Sequence, residues 1–263
     1  MDNKQNWLQS ILSSWPQIRQ VRDLSIISLD NDYSLVVACD SAGAVGNKEL
    51  DDLKVSNYIL GRFTARVALL EVVAAGAIPL LISDTLGVEM EPSGREIIQG
   101  IKDELKLLGL EEKVHITGST EENFQPRQTG IGITVVGLVK THQLKVGKAQ
   151  AGLEILCFGY PKVGGEVHLE DPELVNVATA LDLLAYEGVK EMVPVGSKGI
   201  LYEAQLLAGS SGCRLVLDPE CPLPLKKTAG PATCLLAAVE PPLVSLLQDK
   251  FTVPVTKVGR FES

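Results

Sequence analysis

Between Val55 and Leu86 the chain reads VSNYILGRFTARVALLEVVAAGAIPLLISDTL. Val55, Ile59, Phe63, Val67, Leu70 and Val73 recur at helical spacing, so the pattern predicts one long helix with an apolar face. Gly76 follows an alanine-rich last turn and is placed to cap it, and Pro79 cannot continue it. Leu80, Leu81 and Ile82 then read as a short buried strand. Glu71 breaks the apolar line four residues after Val67. A carboxylate there either sits at the rim of the core or is held for a purpose, because an unpaired buried charge is costly.

The same reading carries along the chain. Residues 4–15 predict an amphipathic helix with Trp7, Leu8, Ile11 and Leu12 on one side, stopped by Pro16. Leu24–Leu29 and Leu35–Cys39 predict strands joined by the turn Asp30-Asn31-Asp32. A glycine-containing loop, Asp40 to Lys48, follows. Ser93 with Glu96 reads as a capping box for a helix that buries Ile97, Ile98, Ile101, Leu105 and Leu108 and ends at Gly109. Val114–Thr117 and Ile131–Val139 predict strands, with a polar loop over 118–128. The polar, lightly basic stretch THQLKVGKAQAG (141–152) reads as a domain boundary, giving domains 1–146 and 147–263. Beyond it strands are expected over 154–158, 191–195, 214–217, 231–239 and 253–258, with helices over 172–186, 200–207 and 242–248. Two successive mixed α/β units are the expected architecture.

Composition narrows the function classes. Of the 263 residues 45% are hydrophobic and 22% charged, which suits a globular protein with a substantial core. The net charge of −9 argues against nonspecific binding to nucleic acid or to an acidic membrane surface. Five cysteines without a CxxC suggest reduced thiols and a cytoplasmic location. The first fifteen residues lack signal-peptide order, and no apolar run reaches membrane-spanning length. His115, His142 and His168 lack metal-ligand spacing, and the phosphate-loop, nucleophile-elbow and dinucleotide glycine signatures are absent.

Four polar features could carry chemistry. Asp30, Asp32 and Asp40 stand at expected strand ends beside a glycine loop; carboxylates there suit magnesium, which takes a few carboxylate oxygens plus waters and phosphates. Turn acids are the plainer account of Asp30 and Asp32. The loop Gly43–Lys48 offers backbone N–H groups to a phosphate. Thr117-Gly-Ser-Thr-Glu-Glu-Asn123 combines hydroxyls, acids and an amide between two strands. Val195-Gly-Ser-Lys-Gly199 opens a predicted helix, where an anion is favoured.

Taken in order, VVACDSAGAVGNK, GRFTARVALLEVVAAGAIP, HITGSTEENF, TGIGITVVGLV, VGSKGI, AGPATCLLAAV and VPVTKVGRF resemble the PurM-like superfamily. That superfamily comprises aminoimidazole ribonucleotide synthetase, selenophosphate synthetase, the hydrogenase-maturation dehydratase and thiamine-monophosphate kinase. The resemblance implies a two-domain α/β (α+β) ATP-binding fold whose N-terminal sheet pairs with a second subunit, hence a homodimer. It implies ATP and Mg²⁺, with Asp40 and Glu71 catalytic and Asp30, Asp32, Asp40, Glu71 and Asp84 on the metal. Nucleotide would meet Gly43, Gly46, Lys48, Gly118, Ser119 and Thr120. A small-molecule acceptor would meet Glu121, Glu122, Asn123, Ser197 and Lys198. Where the thiamine kinase branch carries aspartates, this chain has Ser119, Val195 and Lys198. TGSTEENF with the GSKG segment is most similar to α-ribazole kinase, so phosphorylation of the 5′-hydroxyl of α-ribazole is the expected reaction. Thiamine-phosphate phosphorylation, another ATP-dependent activity of the superfamily, and non-catalytic nucleotide binding stand as alternatives.

Overall fold

A computed structural model of the protein describes residues 2–263, with side chains from Asn6 onward. In chain order the elements are α1 (Asp2–Ser13), β1 (Ile18–Val21), β2 (Leu24–Ser28), β3 (Tyr33–Gly43), β4 (Val45–Gly46), β5 (Leu53–Lys54), α2 (Asn57–Ala74), β6 (Ile78–Leu86), α3 (Arg95–Lys106), β7 (His115–Thr120) and β8 (Gly130–Lys140). They continue with β9 (Glu154–Gly159), α4 (Val177–Leu184), β10 (Val189–Pro194), α5 (Gly199–Ser210), β11 (Arg214–Leu217), β12 (Cys234–Val239), α6 (Val244–Lys250) and β13 (Val255–Glu262). Two sheets organise them. The first has the order β1-β2-β3-β8-β6-β7 and the second β10-β12-β9-β13-β11.

The long central helix is α2, and its start is set by Ser56, whose hydroxyl accepts from the Ile59 N–H. Gly76, at φ +85°, turns the chain just past its end. Val55 lies outside the helix. The helix is buried almost all round, because it packs on the first sheet with one side and on α4 and β10 with another. That sandwiching is why Leu69, Leu70 and Val72 are all fully buried although they point in different directions. One apolar core therefore runs from Ile82 and Val135 of the first sheet through α2 to Phe158 and Leu235 of the second. A separate core fills the other face of the second sheet around Ile155, Leu236 and Phe261.

α2 and α3 approach closely. A Cβ on Gly100 would lie 2.3 Å from the Tyr58 carbonyl oxygen, so only glycine fits at that crossing. Beside it, fully buried Glu104 accepts from Arg62 Nε at 2.8 Å and from Arg66 Nε at 2.8 Å.

Several expectations need correction. Ser93 does not cap α3: it lies in a wide turn over Met90–Gly94 and donates to Glu89 Oε1, while Glu96 accepts from Asn57 Nδ2. β3 runs on to Gly43, so Asp40 is inside a strand. β6 extends over Ile78–Leu86, and Gly118–Thr120 belong to β7 rather than to a loop. The helix expected over 172–186 is shorter, beginning after Asn176, whose side chain accepts from the Ala178 and Thr179 N–H groups. The strand expected over 231–239 begins at Cys234. α1 forms as expected, yet Trp7 and Leu12 remain 64% and 54% exposed. Among the described residues no helix is long and apolar enough to cross a membrane.

Candidate functional site

The hairpin β1–β2 turns through Arg22, which takes a left-handed φ of 55°. The Arg22 side chain, almost wholly buried, donates to Glu191 on β10 at 2.9 Å. Glu191, fully buried, also accepts from the N–H groups of Gly147, Lys148 and Ala149. This one carboxylate fastens the first sheet, the connecting segment and the second sheet together, with every donor charge-assisted.

Beside that fastening lies a cavity of about 620 Å³ between the two halves of the chain. Asp23 enters it directly after Arg22, Asp40 from β3, Glu71 from α2 and Glu203 from α5. Much of the remaining lining is apolar, with Ile59, Leu60, Phe63 and Val67 of α2 and with Val163 and Val167. Gly43, Val195 and Ser197 also line it.

The four acids are short of positive charge. Burial raises Asp40 to about 6, only partly opposed by the Ser41 N–H and aggravated by Asp23. Burial also raises Glu71 to about 8; Arg22 works against this, while Asp23, Glu203 and Asp40 add to it. Glu203 rises to about 7 through burial and Asp23, against the pull of Arg22. Such a cluster holds protons near neutral pH and favours a ligand that brings positive charge.

A second acid lies on the same row of the first sheet. Asp40 pairs with Ile133, Ile133 with Asp84, and Asp84 with Gly118. Two strand spacings put Asp84 roughly 10 Å from Asp40, and Asp84 does not line the cavity. It is 2% exposed, and burial alone lifts it to about 6.

The expected site residues divide accordingly. Asp40, Glu71, Gly43 and Ser197 meet in the cavity. Asp84, Gly118, Ser119 and Thr120 share the same end of the sheet but lie outside it. Asp30 and Asp32 are not brought to the cluster. They occupy the turn before β3, where Asp30 accepts from the Asp32 and Tyr33 N–H groups. Eight residue steps along an extended strand separate Asp32 from Asp40, roughly 26 Å. Gly46 packs against Thr129, just before β8, since a Cβ there would lie 2.5 Å from Thr129 Oγ1. Lys48 is paired with Glu89 at 2.6 Å. Glu121 accepts from the Asn123 and Phe124 N–H groups, which turns the loop carrying Asn123, and Glu122 accepts from the Met90 N–H and the Thr120 hydroxyl. Lys198 lies over the Tyr202 ring at 4.3 Å and donates to its hydroxyl. None of Gly46, Lys48, Glu121, Glu122, Asn123 and Lys198 lines the cavity.

The sequence reading missed Asp23, Arg22 and Glu203. Glu203 carried a usable signal: it interrupts the apolar run Ile200–Leu207 as Glu71 interrupts its own helix. Asp23 carried none, because its position depends on the left-handed turn at Arg22.

Among the described residues no three His, Cys, Asp or Glu side chains stand at metal-holding spacing. Magnesium asks for less: it keeps several waters and takes one or two carboxylates beside the substrate's phosphates. Asp40 and Glu71 fit that smaller demand.

Residues 21–139 match the family model described as AIR synthase related protein, N-terminal domain. No curated protein sequence matches the chain. Solved structures with the same course of the chain include T. maritima PurL complexed with ADP, at 17% identity and a TM-score of 0.69, covering 97% of this chain and 44% of that one. The chain thus spans under half the length of PurL. Thiamine-monophosphate kinase from Stenotrophomonas maltophilia K279a matches at 16% identity and a TM-score of 0.66, covering 99% of this chain and 92% of that one. AaThiL complexed with AMPPCP and TMP matches at 14% identity and 0.62, covering 99% and 90%. The protein has the mixed α/β, PurM-like fold of these structures, and its segment 21–139 is similar to the AIR synthase related N-terminal domain.

Proposed function

We propose that the protein is an ATP-dependent kinase of a small hydroxylated molecule, with the 5′-hydroxyl of α-ribazole as the first acceptor to test. The observation that carries this reading is the convergence of Asp40, Glu71, Asp23 and Glu203 on one cavity whose remaining lining is largely apolar. An apolar wall suits the ring of an acceptor; an acid end short of cations suits a metal-bound triphosphate. The fold likeness to structures holding ADP or AMPPCP supports a nucleotide as ligand.

In this reading Asp40 and Glu71 hold Mg²⁺, which when bound neutralises phosphate charge. Gly43 lets the backbone approach the nucleotide, and Gly118–Thr120 with Asp84 form the far side of its seat. Phe63, Val67 and Val167 hold the acceptor ring and exclude water. Ser197 hydrogen-bonds the acceptor. Glu203, which takes up a proton near pH 7, receives the proton of the attacking hydroxyl. Catalysis is then positioning and charge neutralisation, with no covalent intermediate.

The uncovered face of the first sheet supports a homodimer. Leu35, Val37, Val136 and Leu138 are only partly buried there, and Ile78 is 61% exposed. Light scattering on a sizing column tests it: a mass of twice 28.2 kDa is expected, and a monomer contradicts it.

Thiamine-monophosphate kinase is the second reading, favoured by the full-length fold match to that enzyme. A panel of ATP, Mg²⁺ and either α-ribazole or thiamine monophosphate separates the two. Riboside phosphate supports the first reading, thiamine diphosphate the second, and neither product with tight ATP binding indicates a non-catalytic nucleotide-binding protein.

A further inference from the structure

The chain carries nine more acidic than basic residues, yet one hollow on its surface collects lysines. It has a volume of about 750 Å³ and opens at the junction of the two halves, away from the acidic cavity. Lys145, Lys148 and Lys190 line it with His142, Gln143 and Gln150, and Glu187 is its one carboxylate. The first two lysines and the polar side chains come from the basic stretch 141–152, which the proposed reaction does not use.

The lining is mounted on anchored backbone. The Lys145 N–H donates to the Ala75 carbonyl at 3.0 Å, just before the left-handed Gly76. The N–H groups of Gly147, Lys148 and Ala149 all donate to buried Glu191. Lysines on a free surface loop lose more rotational and backbone freedom when they close on a ligand than lysines held this way.

The charges are incompletely answered. Lys190 pairs with Glu240 at 2.7 Å. Lys145, half-buried, donates at 2.5 Å to the Val189 carbonyl, a neutral acceptor. Burial and the neighbouring Lys190 lower its basicity, and Glu187 offsets this only in part. A ligand that brought several negative oxygens would relieve that repulsion and find amide donors in Gln143 and Gln150.

We propose that this hollow binds a small polyphosphate group, either free or carried by a nucleotide, at a site separate from the acidic cavity. The proposal does not depend on the kinase reading.

Calorimetric titration of the full chain with sodium pyrophosphate, and separately with ADP, both without Mg²⁺ and at constant ionic strength, tests it. Lys148→Ala combined with Lys190→Met is expected to weaken binding by about tenfold or more, with unchanged circular dichroism and melting temperature. Asp40→Asn is expected to leave it unchanged. Binding of both probes identifies the bare polyphosphate as the ligand; binding of ADP alone identifies a nucleotide. No binding of either probe overturns the proposal, as does binding that ignores the lysine substitutions or is altered by Asp40→Asn. Lysine side-chain NMR supplies the second readout: pyrophosphate is expected to shift the Lys145 and Lys148 signals, and unshifted signals overturn the proposal even if heat is released.

Discussion

The carboxylate of Asp84 fills the space where a side chain on Gly118 would stand: a Cβ there would lie 1.9 Å from Asp84 Oδ1. The two residues are register partners on β6 and β7. A methyl group at 118 must therefore push the acid aside. Gly118→Ala is expected to cost about 1–3 kcal/mol of stability, as overpacking does, and to weaken ATP binding with it. Urea denaturation and an ATP titration check the two effects. A stable variant with normal nucleotide affinity removes Asp84 and Gly118 from the nucleotide seat.

Gly43 makes the opposite case. Apart from its two chain neighbours, nothing lies within 4 Å of a Cβ built on it, although the residue lines the acidic cavity. Gly43→Ala is expected to leave the folded state within about 0.5 kcal/mol of the parent while weakening nucleotide binding. Unchanged affinity means that the backbone there does not approach a ligand.

The pH dependence of stability has a definite sign. Glu71, Glu203, Asp40 and Asp84 are raised to about 8, 7, 6 and 6 from the ordinary carboxylate values of 4.5, 4.5, 3.8 and 3.8. Between pH 4 and 8 the folded state thus binds more protons than the unfolded chain, so stability from these groups is full below about pH 4 and is lost as pH rises toward 8. The ligand-free protein is expected to melt lower at pH 8.5 than at pH 6, by on the order of 5 °C. Glu71→Gln, which cannot ionise, is expected to flatten this slope and to raise the melting temperature at pH 8.5. A melting temperature that climbs over this interval in the parent contradicts the account of the cluster.

Glu104 is buried at the contact of α2 and α3. Two arginines answer it, and removing the carboxylate strands both. Glu104→Ala is expected to destabilise by about 3–5 kcal/mol. Denaturant midpoints measure this. A loss below 1 kcal/mol means that water readily replaces the carboxylate between α2 and α3.

Local pattern made most of the fold legible. The long helix, its glycine stop and the strands around it follow from spacing and turn chemistry, because those depend on neighbours in sequence. Helix α2 shows the limit: its apolar stripe predicts one buried face, but burial on several sides follows from α4 and β10, more than a hundred residues away. The candidate site was legible where a polar residue interrupts an apolar pattern, as Glu71 does. Asp30 and Asp32 read as metal acids because strand ends look alike in sequence, whereas β3 carries them to the far end of the sheet from Asp40. Gly46 and Lys48 read as phosphate ligands because a glycine loop offers donors; the fold packs Gly46 against Thr129 and pairs Lys48 with Glu89. Asp23 was silent because a single left-handed residue decides where it points.

The central claim is that the acids of the cavity grip a metal-bound triphosphate. The most direct measurement is a calorimetric titration of the protein with a non-hydrolysable ATP analogue, with and without Mg²⁺, repeated on Asp40→Asn and Glu71→Gln. The account predicts a binding event that requires Mg²⁺, beyond any metal-free binding at the lysine hollow, and that weakens at least about tenfold in each variant. The absence of a Mg²⁺-dependent event, or one that survives both substitutions unchanged, contradicts it.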